Sequence, residues 1–500
     1  MPGRRNLGGA ALALALALIA TGAVTDAAAA TTMRIGSLAF AACELDQPHS
    51  GATTEALCAP FEVPENRAAP DARRIGLRLA LIRSDAAIAE PDIVVFLAGG
   101  PGQAATEAYP QIAAALAPLR KHHHILLLDQ RGTGGSNALT CKGASQAPGD
   151  ADRGSDLETL RRETADCLAG LAGKADPRYY TTTDAVADLE AVRQALGAPQ
   201  FDLVGVSYGT RVAQQYLRRH PDGVRSVVLD SVVPNELVLG SEFAVNLDAA
   251  LQAGFAGCTQ TPACKARFGD PYRALHALRD ALERAPQSVE FPDPVSAIPR
   301  HGTLDAEVLS AVVRMFAYTP ETAALLPLAI HAAAGGNATP LLGQSRVLEG
   351  DLSGLRESGM ALSVLCSEDV DLLHPRPQDR ELILGGELIR AFKAQCGIWP
   401  HGSRPADFHA PLTSAAPVLI LEGELDPVTP PRYGEQVLKG LSHARLLVAR
   451  GQGHNVIGRG CLPRLVGEFV EHLDPEGLDA GCIANFGPIP AFLDFNGAAP

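Results

Sequence analysis

Beyond its first thirty positions the sequence has no apolar run long enough to cross a bilayer, which excludes an integral membrane protein. It also has no block of five or more basic residues. Acidic residues outnumber basic ones, 56 to 42, for a formal charge of −14. A nucleic-acid binder needs a basic footprint, so that class is excluded too. No C-x-x-C pair occurs, which removes the usual spacing of zinc and dithiol redox sites. Internal repeats are missing, as is low complexity beyond the N-terminal segment. What is present is apolar content: 46% of the 500 residues are hydrophobic and 20% charged. A disordered chain has far less surface to bury. At about 150 residues per domain the length allows three domains, and one α/β enzyme with an insertion fits equally.

The first thirty residues read as an address. Arg4 and Arg5 precede the apolar stretch Ala10 to Ala20, and the small residues Ala27 to Ala30 offer a cleavage site after Ala30. The apolar core is short for a membrane anchor, and no cysteine before Cys43 could carry a lipid. The expectation is a signal peptide over 1–30 and an exported chain, periplasmic or extracellular, with no membrane attachment after cleavage. Ten cysteines, an even number, suit an oxidising compartment. Sequence does not choose among their pairings. Their grouping points to local staples: Cys43–Cys58, Cys141–Cys167, Cys258–Cys264, Cys366–Cys396 and Cys461–Cys482.

Apolar runs of strand length recur along the chain. Ile93 to Ala98, Ile125 to Leu128, Phe201 to Val206, Ser226 to Leu229, Val418 to Leu421 and Ala444 to Ala449 read as buried parallel strands. Ile75 to Ile82 alternates apolar and polar, as an antiparallel strand does. Between the runs, Val186, Leu189, Val192 and Leu196 repeat at helical spacing, with Gly197 as a stop. Tyr208 to Arg219 and Pro431 to Leu441 read as helices. Strand and helix in alternation predict an α/β protein, a mostly parallel sheet covered by helices on both faces. The alternation stops near Pro234 and resumes near Pro417. The alanine- and leucine-rich stretch between them, with few strand signals, reads as a helical cap over 236–410, inserted between core segments 31–235 and 411–500.

Gly205-Val206-Ser207-Tyr208-Gly209 follows a predicted strand and opens a predicted helix. Alone, G-x-S-x-G arises by chance in a chain with 49 glycines. At a strand-to-helix turn it forces the serine hydroxyl out above the sheet edge. A serine needs a base to take its proton and an acid to hold that base. In this architecture both follow later strands, acid first. Asp426 in Glu424-Leu425-Asp426-Pro427-Val428-Thr429 and His454 in Gly451-Gln452-Gly453-His454 stand at those places, with Glu424 as the rival acid. Oxyanion donors are expected at the N–H of Tyr208 and of Gly100, in the loop Gly99-Gly100-Pro101-Gly102. That loop lacks the lysine of a phosphate-binding loop.

Gly99-Gly100-Pro101-Gly102 and Asp129-Gln130-Arg131-Gly132-Thr133-Gly134-Gly135-Ser136 resemble the G-G-P-G and D-Q-R-G-x-G-x-S signatures of the prolyl and tripeptidyl aminopeptidases. The resemblance implies an α/β-hydrolase fold and a serine exopeptidase that acts on peptide substrates without a cofactor. It implies that the second segment braces the oxyanion loop. Ala98 stands where the prolyl type has histidine, and Tyr208 where it has tryptophan, which favours the secreted, disulfide-bearing tripeptidyl branch. Val364-Leu365-Cys366-Ser367-Glu368-Asp369 resembles that branch's cap segment, so Glu368 and Asp369 are expected to hold the substrate's α-ammonium. The runner-up is an esterase or lipase-like hydrolase of the same fold, because fold and triad do not fix the substrate. A binding module on a dead scaffold would lack a triad member. His122-His123-His124 directly precedes a strand with no carboxylate nearby in sequence, so no metal is expected there. Composition says nothing of oligomeric state.

Overall fold

Short apolar runs, each closed by a turn, line up as one ten-stranded sheet. The computed structural model describes residues 32–47, 52–141, 157–294, 296–356 and 358–498; the expected signal peptide lies outside them. The strands in chain order are β1 (Thr32–Ile35), β2 (Leu38–Asp46), β3 (Thr53–Pro64), β4 (Arg74–Ile82), β5 (Ile93–Leu97), β6 (His124–Leu128), β7 (Phe201–Val206) and β8 (Val224–Asp230). A separate hairpin, β9 (Gln287–Pro292) and β10 (Pro299–Leu304), precedes β11 (Val418–Gly423) and β12 (Ala444–Ala449). The sheet order is β1-β2-β3-β4-β6-β5-β7-β8-β11-β12. From β6 to β12 all pairings are parallel, whereas β1 to β4 pair antiparallel and β4 meets β6 antiparallel. Every residue of β5, β7 and β11 is buried, which is why these strands read as unbroken apolar runs.

Two apolar layers sandwich the sheet. One joins Leu79, Val95, Leu203 and Leu229 to the helix Thr182–Leu196 through Val186, Leu189 and Val192. Gly197 at φ +65° ends that helix in the left-handed region, as its place in the sequence predicts. The other joins Val94, Val204 and Leu421 to the helices Ala105–Arg120 and Leu462–His472.

Between β8 and β11 the expected cap is mostly helical and has a core of its own, including Leu251, Leu278, Leu309, Val313 and Ile330. The span 236–410 is not one packing unit, however. Met360, Val364 and Leu365 of the helix Gly359–Glu368 belong to the core layer of Leu203 and Tyr208. The hairpin β9–β10 is a second departure from the helical expectation.

Five disulfides join the neighbours in sequence that their grouping points to, and no cysteine among the described residues is free. No helix among those residues is long and apolar enough to cross a membrane.

Candidate active site

β7 runs straight into Ser207, whose backbone turns to φ 54°, ψ −123° before the helix Tyr208–Arg219 begins. A serine in this region stores about 1–3 kcal/mol of strain and stays there only when its surroundings over-determine it. Both flanking glycines supply that constraint. A Cβ on Gly205 would lie 2.6 Å from the Gly209 carbonyl oxygen, and one on Gly209 would overlap the Leu97 carbonyl oxygen. The turn closes only without side chains at either position.

Above Ser207 lies His454, with Nε2 3.0 Å from Ser207 Oγ and Nδ1 2.7 Å from Asp426 Oδ2. Asp426 is itself held. Val428 N and Thr429 N each donate to Oδ1 at 2.8 Å, and the Thr429 hydroxyl donates to Oδ2 at 2.9 Å. The histidine backbone N–H donates to the Tyr318 carbonyl at 2.7 Å, and the Tyr318 ring meets the imidazole edge-on at 5.2 Å. Burial alone would pull the His454 pKa down; the charge of Asp426 and its hydrogen bond, with Asp230 behind, outweigh burial and raise it. Asp230, at the end of β8, accepts from Val456 N and Ile457 N and so fixes the turn that carries the histidine. Burial pushes Asp230 up to about 6 despite those two donors. Glu422, buried at the end of β11, is pushed well above its ordinary value by burial and by the nearby charge of Asp426. The shift favours its neutral form, which adds no second charge beside Asp426.

The glycine loop presses against Ser207 from the other side. A Cβ on Gly99 would lie 3.2 Å from Ser207 Cβ. Gly100 and Gly102 take φ of +107° and +111° around a cis Gly100–Pro101 bond. Asp129 anchors the chain just beyond this loop: it accepts from Thr106 N and Thr106 Oγ1, both at 2.9 Å, in the first turn of the helix Ala105–Arg120. Arg131 is fully buried, paired at 2.6 Å twice with Asp188, and donates to the Glu65 and Tyr179 carbonyls. Tyr208 is the first residue of its helix, so its N–H has no acceptor within that helix.

Two expectations need correction. Glu368 and Asp369 do not face a cleft; both are fully buried. Glu368 accepts from Thr182 N at 2.6 Å and Thr182 Oγ1 at 2.8 Å, and Asp369 pairs with buried Arg211 at 2.9 Å. Carboxylates so enclosed offer no face to an incoming ammonium. Glu424, which the sequence ranks behind Asp426 as the acid, accepts from Gly451 N at 2.7 Å, while His454 Nδ1 meets Asp426. His123 does have carboxylate neighbours, contributed by distant parts of the chain: Asp92 lies 2.8 Å from Nδ1, and Asp202 completes a cluster whose ligand atoms lie within 4.8 Å of one another. Arg225 already stands 3.3 Å from Asp92 and 3.0 Å from Asp202, so a guanidinium supplies the positive charge at that point. Thr429, Tyr318, Asp230 and Glu422 escape a reading of the sequence. Only Thr429, three residues after an aspartate in a turn, carries a local signal.

Among known proteins, the chain is 25% identical over 470 residues to serine protease Hip1 of Mycobacterium tuberculosis (strain ATCC 25618 / H37Rv), covering 86% of this chain and 87% of that one. It is 30% identical over 213 residues to putative hydrolase YuaR of Escherichia coli (strain K12), 41% of this chain and 42% of that protein. It is 30% identical over 190 residues to tripeptidyl aminopeptidase of Streptomyces lividans, 35% of each. The chain thus spans less than half the length of the last two. Residues 92–459, from the strand before the glycine loop to just past His454, match the alpha/beta hydrolase fold family, and the chain belongs to that family.

Proposed function

We propose that the protein is an exported serine exopeptidase that releases residues or short peptides from the free N-terminus of peptides through an acyl-enzyme. The observation that carries this reading is the unbroken line Ser207 Oγ, His454, Asp426, with contacts of 3.0 and 2.7 Å. Ser207 attacks the scissile carbonyl while His454 Nε2 takes its proton. Asp426 keeps the Nδ1 proton pointed at itself and stabilises the imidazolium that forms. Tyr208 N–H and Gly100 N–H stabilise the oxyanion. His454 then protonates the leaving amine, and water enters by the same route to release the acyl group.

The peptide substrate class is supported by the resemblance to Hip1, a serine protease by name, which extends over most of both chains. Export is supported by the five disulfides together with the N-terminal pattern of charge and apolar residues. A short peptide, its N-acetylated form and a small acyl ester separate the readings. Cleavage of the free peptide with little of the acetylated form is the expected result. Equal cleavage of both peptides would overturn the exopeptidase assignment, and ester hydrolysis alone would favour an esterase.

A further inference from the structure

The side chain of the residue after the nucleophile ends in a line of hydrogen bonds that takes no part in proton transfer between Ser207, His454 and Asp426. Gln130 Nε2 donates to the Tyr208 hydroxyl at 3.2 Å, and that hydroxyl lies 2.6 Å from Thr182 Oγ1. Thr182 Oγ1 donates in turn to Glu368 Oε2, and Thr182 N to Oε1. Tyr208, Thr182 and Glu368 are all buried, each at the end of a different helix. The line has one self-consistent direction when Glu368 is ionised. The carboxylate only accepts, so Thr182 donates to it and accepts from Tyr208, whose oxygen accepts from Gln130. A proton on Oε2 reverses Thr182, which then donates to Tyr208. The tyrosine oxygen receives two donors and its own proton loses the Thr182 acceptor.

We propose that Glu368 is a positioning residue: acting through Thr182, it fixes the Tyr208 side chain and thereby the aim of the Tyr208 N–H at the oxyanion. This role rests on the serine-hydrolase reading and goes beyond it, giving the buried acid a task in the reaction. Burial, with Asp369 alongside, pushes Glu368 up to about 8, against the lowering by Arg211 and by the two Thr182 donors. The other groups around it are His409, whose Nε2 lies 2.8 Å from the Glu368 carbonyl, and Arg404, whose charge reaches it. Burial also holds Tyr208 far above its ordinary value, so it remains a phenol that donates. The line therefore changes direction as pH rises through about 8, with the ionised, self-consistent form above.

The test measures kcat and KM of the purified enzyme on a free peptide from about pH 6 to about pH 10, for wild type, Tyr208→Phe, Glu368→Gln, the double variant, Thr182→Ser and Thr182→Val. Fluorophosphonate labelling of Ser207 counts active sites in each. Wild-type kcat is expected to climb through about pH 8. Tyr208→Phe, Glu368→Gln and Thr182→Val should each lower kcat on the order of tenfold with little change in KM, and flatten that climb. The double variant should be no slower than its slower parent, and Thr182→Ser should behave as wild type. Losses that multiply in the double variant, or a lowered melting temperature with kcat intact, would overturn the proposal. Should Glu368→Gln not fold, Tyr208→Phe and Thr182→Val decide alone, since each changes little in volume. Wild type labelled at Ser207 with all variants unchanged removes the relay alone; wild type that does not label removes the reading on which it rests.

Discussion

Replacing Asp426 with asparagine removes one charge and almost no volume, and the surrounding hydrogen bonds dictate how the new amide must sit. Oδ1 faces two backbone donors, Val428 N and Thr429 N, both at 2.8 Å. Only the amide oxygen of asparagine satisfies them, so its NH2 must turn toward His454 Nδ1, where Oδ2 now sits at 2.7 Å. An NH2 there donates, and Nδ1 must accept. The imidazole proton moves to Nε2, 3.0 Å from Ser207 Oγ, where the nucleophile needs a lone pair. The wrong tautomer costs about 10⁴-fold in kcat where the same substitution has been made in a serine protease, or about 5.5 kcal/mol of transition-state stabilisation. The assay is kcat on a free peptide beside the rate of fluorophosphonate labelling, with thermal unfolding as the control for folding. Both rates should fall by several orders of magnitude while the melting temperature moves by no more than a few degrees. An Asp426→Asn enzyme within about tenfold of wild type would refute the tautomer argument. Asp426→Ala differs in kind, because it leaves the two backbone donors with no partner.

The raised pKa of His454 sets the acid limb of activity: kcat/KM should fall about tenfold per pH unit below it, because protonated imidazole cannot act as base. The same shift makes the imidazolium stabilise the fold, an effect fully present below about pH 6.5 and lost as pH rises through the raised value; a stability profile that increases across that window would contradict it. Gly209→Ala should lower both stability, by about 1–3 kcal/mol, and turnover, since its Cβ must displace the Leu97 and Ala98 carbonyls beside the glycine loop; full activity would show that the turn tolerates a side chain. Reduction should lower the melting temperature, each bridge being worth about 2–4 kcal/mol, and alkylation of two or more cysteines in the unreduced protein would contradict full pairing.

The parts of the fold that are legible in the sequence are those whose cause is local. β5, β7 and β11 are buried on both faces and so spell unbroken apolar runs, and the turn at Ser207 needs its two glycines for steric reasons that a sequence displays. Ser207, Asp426 and His454 stand in the order that a sheet of this kind requires, each just past a strand, and the fold brings them into contact. What stays hidden depends on partners far along the chain. An acidic pair after a cysteine looks the same whether it lines a cleft or lies in the interior; Thr182 and Arg211, more than 150 residues away, decide for the interior. His123 has no neighbouring carboxylate in sequence, yet Asp92 and Asp202 meet it in space. Strands β1 to β3 leave little trace in the sequence, because many of their residues are exposed and their burial does not alternate cleanly.

The most direct measurement is peptide mapping by mass spectrometry after the purified protein reacts with a fluorophosphonate. A single adduct on Ser207, absent from Ser207→Ala together with a roughly 10⁶-fold loss of turnover on peptides, is the expected result. An adduct on any other residue, or peptide cleavage undiminished in Ser207→Ala, would contradict the assignment of Ser207 as the nucleophile.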